Sequence, residues 1–194
     1  FIYQDKDKVD VDFIVPKNFI SPHSSDRCLR YLMNNNSFNA FNTNKADVRY
    51  DPALDRAVFM VRDDNDKITG GVGRSLNYNV LPKWYVYGSK KYPFICGDGD
   101  TAVIVEDCAS ACAVSDDFAG LALMGTSLPQ EYTTVIKKRF KNVIVALDRD
   151  ATTKAFDIAR EVGMVAHTRV VMLEDDLKYF KPNEIKDMLC KNDN

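Results

Sequence analysis

Three acidic residues in this chain directly follow apolar runs. Glu106 comes after residues 102–105, and Asp148 and Asp150 come after residues 143–147. An aliphatic run without alternation predicts a strand covered on both faces, as in a parallel sheet flanked by helices. Such strands end at one edge, where open sheets bind their ligands. The sequence therefore predicts that these carboxylates meet there and bind Mg²⁺ or Mn²⁺, with a phosphate as a further ligand.

A simpler interpretation of the acids is also open. Asp150 precedes the segment Ala151-Thr152-Thr153-Lys154. An acidic side chain at such a position often caps the first turn of a helix. On the acids alone, both interpretations stand.

The C-terminal half alternates short apolar runs with amphipathic segments, which is typical of an α/β fold. We expect an α/β protein whose Rossmann-like parallel sheet is flanked by helices and preceded by a smaller α+β lobe that is basic. The strands are predicted at 102–105, 121–123, 142–147 and 169–172, and the helices at 109–118, 130–140 and 152–162.

The N-terminal half has weaker signals. The turn residues Asp63-Asp64-Asn65-Asp66 predict a hairpin over 56–76, and Ser24-Ser25-Asp26 predicts the start of a helix. Alternation over 9–15 predicts a strand, and the Asn-rich residues 34–45 predict a loop. A boundary at Gly97-Asp98-Gly99-Asp100 divides the chain into an N-terminal basic lobe, 1–100, and a C-terminal domain, 101–194, that carries the three acids.

Charge is distributed unevenly along the chain. The net charge of −2 argues against a protein that simply coats nucleic acid, yet residues 67–92 contain five basic side chains and no acidic one. Aromatic residues are interleaved with them. Phosphates held by charge and bases stacked on rings would suit single-stranded nucleic acid. The alternative is a solvated hairpin whose rings belong to the core. The aromatic residues are Tyr78, Trp84, Tyr85, Tyr87 and Tyr92.

Three blocks carry a resemblance to a known domain. They are Ile104-Val105-Glu106-Asp107, then residues 123–128 (Leu-Met-Gly-Thr-Ser-Leu), then residues 145–150 (Val-Ala-Leu-Asp-Arg-Asp). In order and spacing they resemble the Toprim domain shared by bacterial-type DNA primases, topoisomerases and some nucleases.

The preceding lobe resembles primases in particular. Residues 56–63 (Arg-Ala-Val-Phe-Met-Val-Arg-Asp) and 68–76 (Ile-Thr-Gly-Gly-Val-Gly-Arg-Ser-Leu) are similar to the two strands before Toprim in bacterial-type primases, and Pro82-Lys83-Trp84 is similar to the motif that follows. The resemblance covers about residues 50–189 and is nearest to bacteriophage primases and primase-helicases. The stretch from Lys178 to Glu184 only approximates the last family motif.

The resemblance implies a DNA-directed RNA primase core that makes short RNA primers by metal-dependent nucleotidyl transfer. Its implied partners are a single-stranded DNA template, ribonucleoside triphosphates, a replicative helicase and a zinc-binding primase module outside this chain. Glu106, Asp148 and Asp150 would be the catalytic and metal-binding residues. The implied nucleotide and template contacts are Arg56, Arg62, Arg74, Lys83, Trp84 and Lys178.

Two rival functions use the same acids. A Toprim nuclease would admit water in place of a ribose hydroxyl, but it lacks the basic lobe. A receiver-like signalling domain, which is not an enzyme, would use Glu106, Asp107, Asp148 and Lys178. It has no use for that lobe or for Asp150.

The composition of the chain bears on its cellular compartment and on the chemistry of its cysteines. No apolar run reaches the roughly 20 residues of a membrane span, so we expect a cytoplasmic protein, in a bacterial host if the chain is phage-encoded. Five cysteines without a C-x-x-C pair indicate neither a disulfide framework nor a zinc site. Cys108 and Cys112 are predicted to be small buried residues on one helix face.

Overall fold

The computed structural model describes residues 2–3 and 12–191 and contains two five-stranded sheets. The first sheet has the strand order β1-β5-β4-β3-β2 and is antiparallel except where β1 pairs with β5. Its strands are β1 Ile2–Tyr3, β2 Val48–Asp51, β3 Arg56–Arg62, β4 Ile68–Ser75 and β5 Trp84–Gly88. Helices α1 (Asp26–Asn34) and α2 (Phe38–Asn42) precede β2.

The second sheet has the order β10-β9-β7-β8-β6, and only β6 is antiparallel to its neighbour. The predicted α/β fold with a parallel sheet between helices is therefore confirmed. Its strands are β6 Ile95–Cys96, β7 Thr101–Val105, β8 Ala119–Ala122, β9 Asn142–Asp148 and β10 His167–Leu173. Its helices are α3 Cys108–Ala113, α4 Gln130–Arg139, α5 Thr152–Val162 and α6 Pro182–Cys190.

Alternating residues of the second sheet enter two different cores, because successive side chains of a strand point to opposite faces. Ala102 and Ile104 pack with α4 and α5, whereas Val103 and Val105 pack with α3 and α6. The second of these cores also contains Phe59 of the first sheet. One hydrophobic core thus joins the two sheets. The division into lobes at residue 100 stays a prediction.

Helix α3 is built entirely from small buried residues. The reason is its contact with β8: a Cβ atom added at Gly120 would lie 2.1 Å from the carbonyl oxygen of Ala111. The burial predicted for Cys108 and Cys112 is confirmed. Cys28 and Cys96 are also buried, whereas Cys190 is exposed.

Three local predictions are wrong. Residues 38–42 form α2 within the predicted loop, because Phe38 and Phe41 lie on one helical face with ring centroids 6.1 Å apart. The described part of the predicted N-terminal strand, residues 12–15, is not a strand, and Ile14 is 81% exposed; residues 9–11 lie outside the described residues. Helix α3 ends at Ala113 instead of reaching residue 118, and the Ser115 hydroxyl donates to the Cys112 carbonyl at 2.7 Å.

The predicted hairpin is confirmed as β3 and β4, and α1 begins at Asp26 with Ser25 as its N-cap. Within the described residues, no helix is long and apolar enough to cross a membrane.

Candidate metal and nucleotide site

The strands β7 and β9 bring Glu106 and Asp148 to the same edge of the second sheet. Ile104 lies opposite Val145 in the parallel register, so the two strands end side by side. Asp148 ends β9, and Asp150 lies in the 3-10 turn Arg149–Ala151 that follows. We call Glu106, Asp148 and Asp150 the carboxylate rim.

The three rim carboxylates have different contacts. The Lys154 Nζ lies 3.0 Å from both Glu106 carboxylate oxygens. The Asp148 Oδ1 accepts from the Ala151 amide at 3.2 Å, so Asp148 makes the capping contact that we considered for Asp150. Asp150 is exposed.

The donor chemistry of the rim fits a hard divalent cation, because all three side chains offer carboxylate oxygens. A cation, the Lys154 ammonium, already contacts Glu106. In the described part of the chain, no three His, Cys, Asp or Glu side chains are grouped as a ready metal site.

A buried ion-pair network lies beside the rim. Lys178, which is 5% exposed, places its Nζ 2.6 Å from Asp107 Oδ2 and 3.4 Å from Asp176 Oδ2. Burial lowers the pKa of Lys178, but the two carboxylates outweigh it and the net shift is upward. Burial raises the pKa of Asp176, and Lys178 opposes that rise without cancelling it. Lys178 is engaged within the protein by these two ion pairs, and its contact with a nucleotide stays a prediction.

Two predicted binding residues of the first sheet have structural roles. Arg56, which is 3% exposed, donates to the carbonyls of Gly73, Pro82 and Lys83 at 3.1, 2.8 and 3.3 Å. Trp84 is 6% exposed and contacts Phe59. That Arg56 binds phosphate and that Trp84 stacks on a base stay predictions beside these internal contacts.

The other predicted basic residues differ in their availability. Arg62 donates to Asp47 Oδ2 at 2.7 Å and to the Asp66 carbonyl at 2.9 Å, which fixes the β3–β4 turn. Arg74 lies over the Trp84 ring at 5.7 Å, and its Nη1 is buried without a hydrogen-bond partner among the described residues. Lys83 is exposed. Lys83 is therefore the predicted cation best placed for an external anion, and Arg74 is partly exposed.

Of the five aromatic residues considered for base stacking, Tyr78 alone is exposed, at 91%. It lies in the β4–β5 loop, residues 76–83. Tyr85 and Tyr87 contact each other edge to face with centroids 4.8 Å apart. The alternation of Tyr85 and Tyr87 in the sequence indicated strand β5. It did not indicate that, of the five aromatic residues, Tyr78 is the one whose ring faces solvent.

Helix α1 and the turn after it contact the ion-pair network of Lys178. The Asn36 side chain donates to the carbonyls of Lys178 and Phe180 at 2.8 and 3.1 Å. Burial raises the pKa of Tyr31; Asp107 raises it further and Arg74 opposes the rise. The pKa of Tyr31 therefore depends on charges at the end of β4 and at the start of α3.

Lys90 faces the loop after β8, residues 125–127. A Cβ atom added at Gly125 would lie 3.5 Å from the Lys90 Nζ. Burial lowers the pKa of Lys90. Met124, just before this loop, donates its amide to the Glu106 carbonyl at 3.0 Å. A half-buried ammonium therefore lies against a glycine-containing loop that is bonded to the rim.

Solved structures share this arrangement of two sheets. The Aquifex aeolicus primase fragment with zinc-binding and RNA polymerase domains is 18% identical, with a TM-score of 0.62 over 89% of this chain and 50% of that one. The fold is similar to that of primase catalytic cores. A DnaG primase catalytic domain bound to single-stranded DNA is 18% identical, with a TM-score of 0.59 over 86% of this chain and 62% of that one.

The primase fragment of the bacteriophage T7 primase-helicase protein is 16% identical, with a TM-score of 0.54 over 77% of this chain and 65% of that one. The chain thus spans about half to two thirds of the length of these structures. No protein-family model matches the chain, and no curated protein matches it.

Proposed function

We propose that this chain is the Toprim-containing catalytic core of a DNA primase of the bacteriophage kind, which makes short RNA primers on single-stranded DNA. The observation that carries the proposal is the position of Glu106 and Asp148. They end adjacent parallel strands beside a first sheet that resembles the one in primase cores. Toprim nucleases and receiver domains lack such a sheet.

The 3′ hydroxyl of a ribose would lose its proton and attack the α-phosphate of the next ribonucleoside triphosphate, and pyrophosphate would leave. Glu106, Asp148 and Asp150 would hold Mg²⁺ or Mn²⁺. Such an ion stabilises charge on the attacking and leaving oxygens when it is bound. Glu106 could serve as ligand or as general base. Lys90 and the backbone amides of residues 125–127 would bind the triphosphate, because an ammonium and oriented amides attract anions.

The template would run along the end of the first sheet. Lys83 and Arg74 would hold its phosphates, and Tyr78 would stack on a base. The DnaG catalytic domain above was solved with single-stranded DNA, which supports this choice of ligand. The Aquifex and T7 proteins carry a zinc-binding domain and a helicase respectively, so partners of these two kinds are expected for this chain.

The test is a synthesis assay with the intact chain, single-stranded DNA, labelled ribonucleotides and Mg²⁺ or Mn²⁺. A separately supplied zinc-binding primase module is added in a parallel reaction. We expect short oligoribonucleotides and an intact template. Asp148→Asn and Asp150→Asn should each lower synthesis by at least about 100-fold, since each removes a charged metal ligand.

Circular dichroism of both variants should match the wild type. Metal-dependent cutting of the template without synthesis would favour the nuclease. Stable phosphorylation of Asp148 by a small phosphodonor would favour the receiver. Full synthesis by both variants would show that the rim is misassigned.

A further inference from the structure

The ion pair between Lys154 and Glu106 involves one of the three carboxylates of the rim. Lys154 lies in the first turn of α5, directly after the segment that carries Asp148 and Asp150. Its ammonium contacts both oxygens of Glu106 at 3.0 Å. The side chains of Lys154 and Glu106 are only 22% and 29% exposed, so water screens the pair less than it screens an exposed pair.

The contact engages the oxygens that a metal ion would need. A carboxylate whose two oxygens both accept from an ammonium has to release that ammonium, or share an oxygen with it, before it can bind a divalent cation. Lys154 and the divalent cation are therefore in competition for Glu106.

We propose that Lys154 is a positioning residue that holds Glu106 in the metal-free protein and sets the divalent-cation concentration at which the rim fills. This inference rests on the proposed function, because it takes the rim as the metal site. Lys154 keeps Glu106 pointed at the rim and makes metal binding weaker than three carboxylates alone would give. Glu106 would have to release the Lys154 ammonium, or share an oxygen with it, when a divalent cation binds.

The experiment measures Mn²⁺ binding to the intact chain by electron paramagnetic resonance, without nucleotide or DNA. Lys154→Met removes the charge and keeps most of the side-chain volume. We expect it to tighten Mn²⁺ binding about threefold to tenfold, the ratio that corresponds to one partly screened ion pair. Lys154→Gln, a second neutral variant, should do the same. A purely structural lysine would instead weaken binding when it is replaced.

Lys138→Met is the control, because Lys138 pairs with Asp64 at 2.8 Å, with a more exposed side chain, at the end of α4 and away from the rim residues. It should leave the Mn²⁺ affinity within about twofold of the wild type. In a Glu106→Gln background, Lys154→Met should change the affinity by less than twofold, because the competition requires the carboxylate.

Two failures can be told apart. If Asp148→Asn weakens Mn²⁺ binding but Lys154→Met and Lys154→Gln leave it unchanged or weaker, the inference about Lys154 is overturned and the metal site stands. If Asp148→Asn has no effect on Mn²⁺ binding, the rim is not the metal site, and both the inference and the proposed function fail.

Discussion

Lys178 shows how a residue that resembles a ligand contact can serve the fold. Its ammonium lies between Asp107 and Asp176, and both side chains of its shorter pair are less than a tenth exposed. Asp107 also caps α3 by accepting from the Ser110 amide at 3.0 Å. The network therefore fixes the start of α3 against the segment that follows β10.

Replacing Lys178 should destabilise the protein strongly. Lys178→Met leaves buried carboxylates without their cation, and removal of one partner of a buried pair typically costs about 3–5 kcal/mol. Urea unfolding measures this loss. Lys186→Met is the control, because Lys186 contacts Asp117 at 3.4 Å with a side chain that is 60% exposed. It should cost less than about 1 kcal/mol, and equal losses in the two variants would contradict the assignment.

Asp176 should make stability depend on pH in a defined direction. Burial raises its folded-state pKa above the unfolded value, so its contribution is complete below the usual carboxyl range and is lost as the pH rises through the folded-state pKa. Asp176→Asn cannot ionise and escapes this loss. The free energy of unfolding of the variant, relative to wild type, should therefore increase as the pH rises from about 4 towards neutrality. A difference that stays constant with pH would contradict the shift.

At the scale of elements, the sequence predicted the strands and turns that have strong local signals. It did not predict contacts between residues that are distant in sequence. The β3–β4 hairpin has turn residues between two apolar strands, and β7 and β9 have uninterrupted aliphatic runs, so the position of the rim followed from the sequence. Strand β6 has only two residues and gave no periodic signal. Lys154 and Glu106 are 48 residues apart, and nothing in either segment indicates the pair. In β5, Trp84 and Val86 point to one face of the strand and Tyr85 and Tyr87 to the other. The sequence pattern predicts this alternation, but it does not show which of the two faces is covered.

The β4–β5 loop should contribute stacking and charge separately. Tyr78→Ala removes an exposed ring, and we expect weaker binding of single-stranded DNA by about 1–3 kcal/mol with an unchanged salt dependence. Lys83→Ala should lower the slope of log K against log salt by about 0.7, the value for one phosphate contact with a single strand. Fluorescence anisotropy at several salt concentrations measures both effects.

Phe156→Ala is the control for Tyr78, because Phe156 is 54% exposed on α5, outside the first sheet. It should leave DNA binding unchanged. Equal binding of single-stranded DNA by the Tyr78→Ala variant and the wild type would favour the alternative interpretation, in which the β4–β5 loop is a solvated turn without a role in binding.

At the scale of the whole molecule, the shared core predicts cooperative unfolding. Phe59 and Trp84 of the first sheet belong to the same cluster as Val103, Val105 and the buried face of α3. Deleting residues 1–100 would remove Phe94 and Cys96 from that core together with strand β6, which belongs to the second sheet. The two sheets should therefore not fold independently.

The test uses Trp84, the single tryptophan of the chain, as a reporter of the first sheet. Its fluorescence and the far-ultraviolet circular dichroism of the whole chain should follow the same urea transition. A fluorescence transition at lower urea, with most of the dichroism retained, would show that the second sheet is stable without the first.

The distribution of the five cysteines allows the folded protein to be labelled chemically at one position. Cys28, Cys96, Cys108 and Cys112 are buried, whereas Cys190 at the end of α6 is exposed. A maleimide dye should therefore attach to a single position in the native protein, because the reagent reaches only an accessible thiol. The dye would lie at the end of α6, whose first turn follows the segment held by Asn36. Fluorescence from that position would report changes in the surroundings of α6 without any engineered substitution.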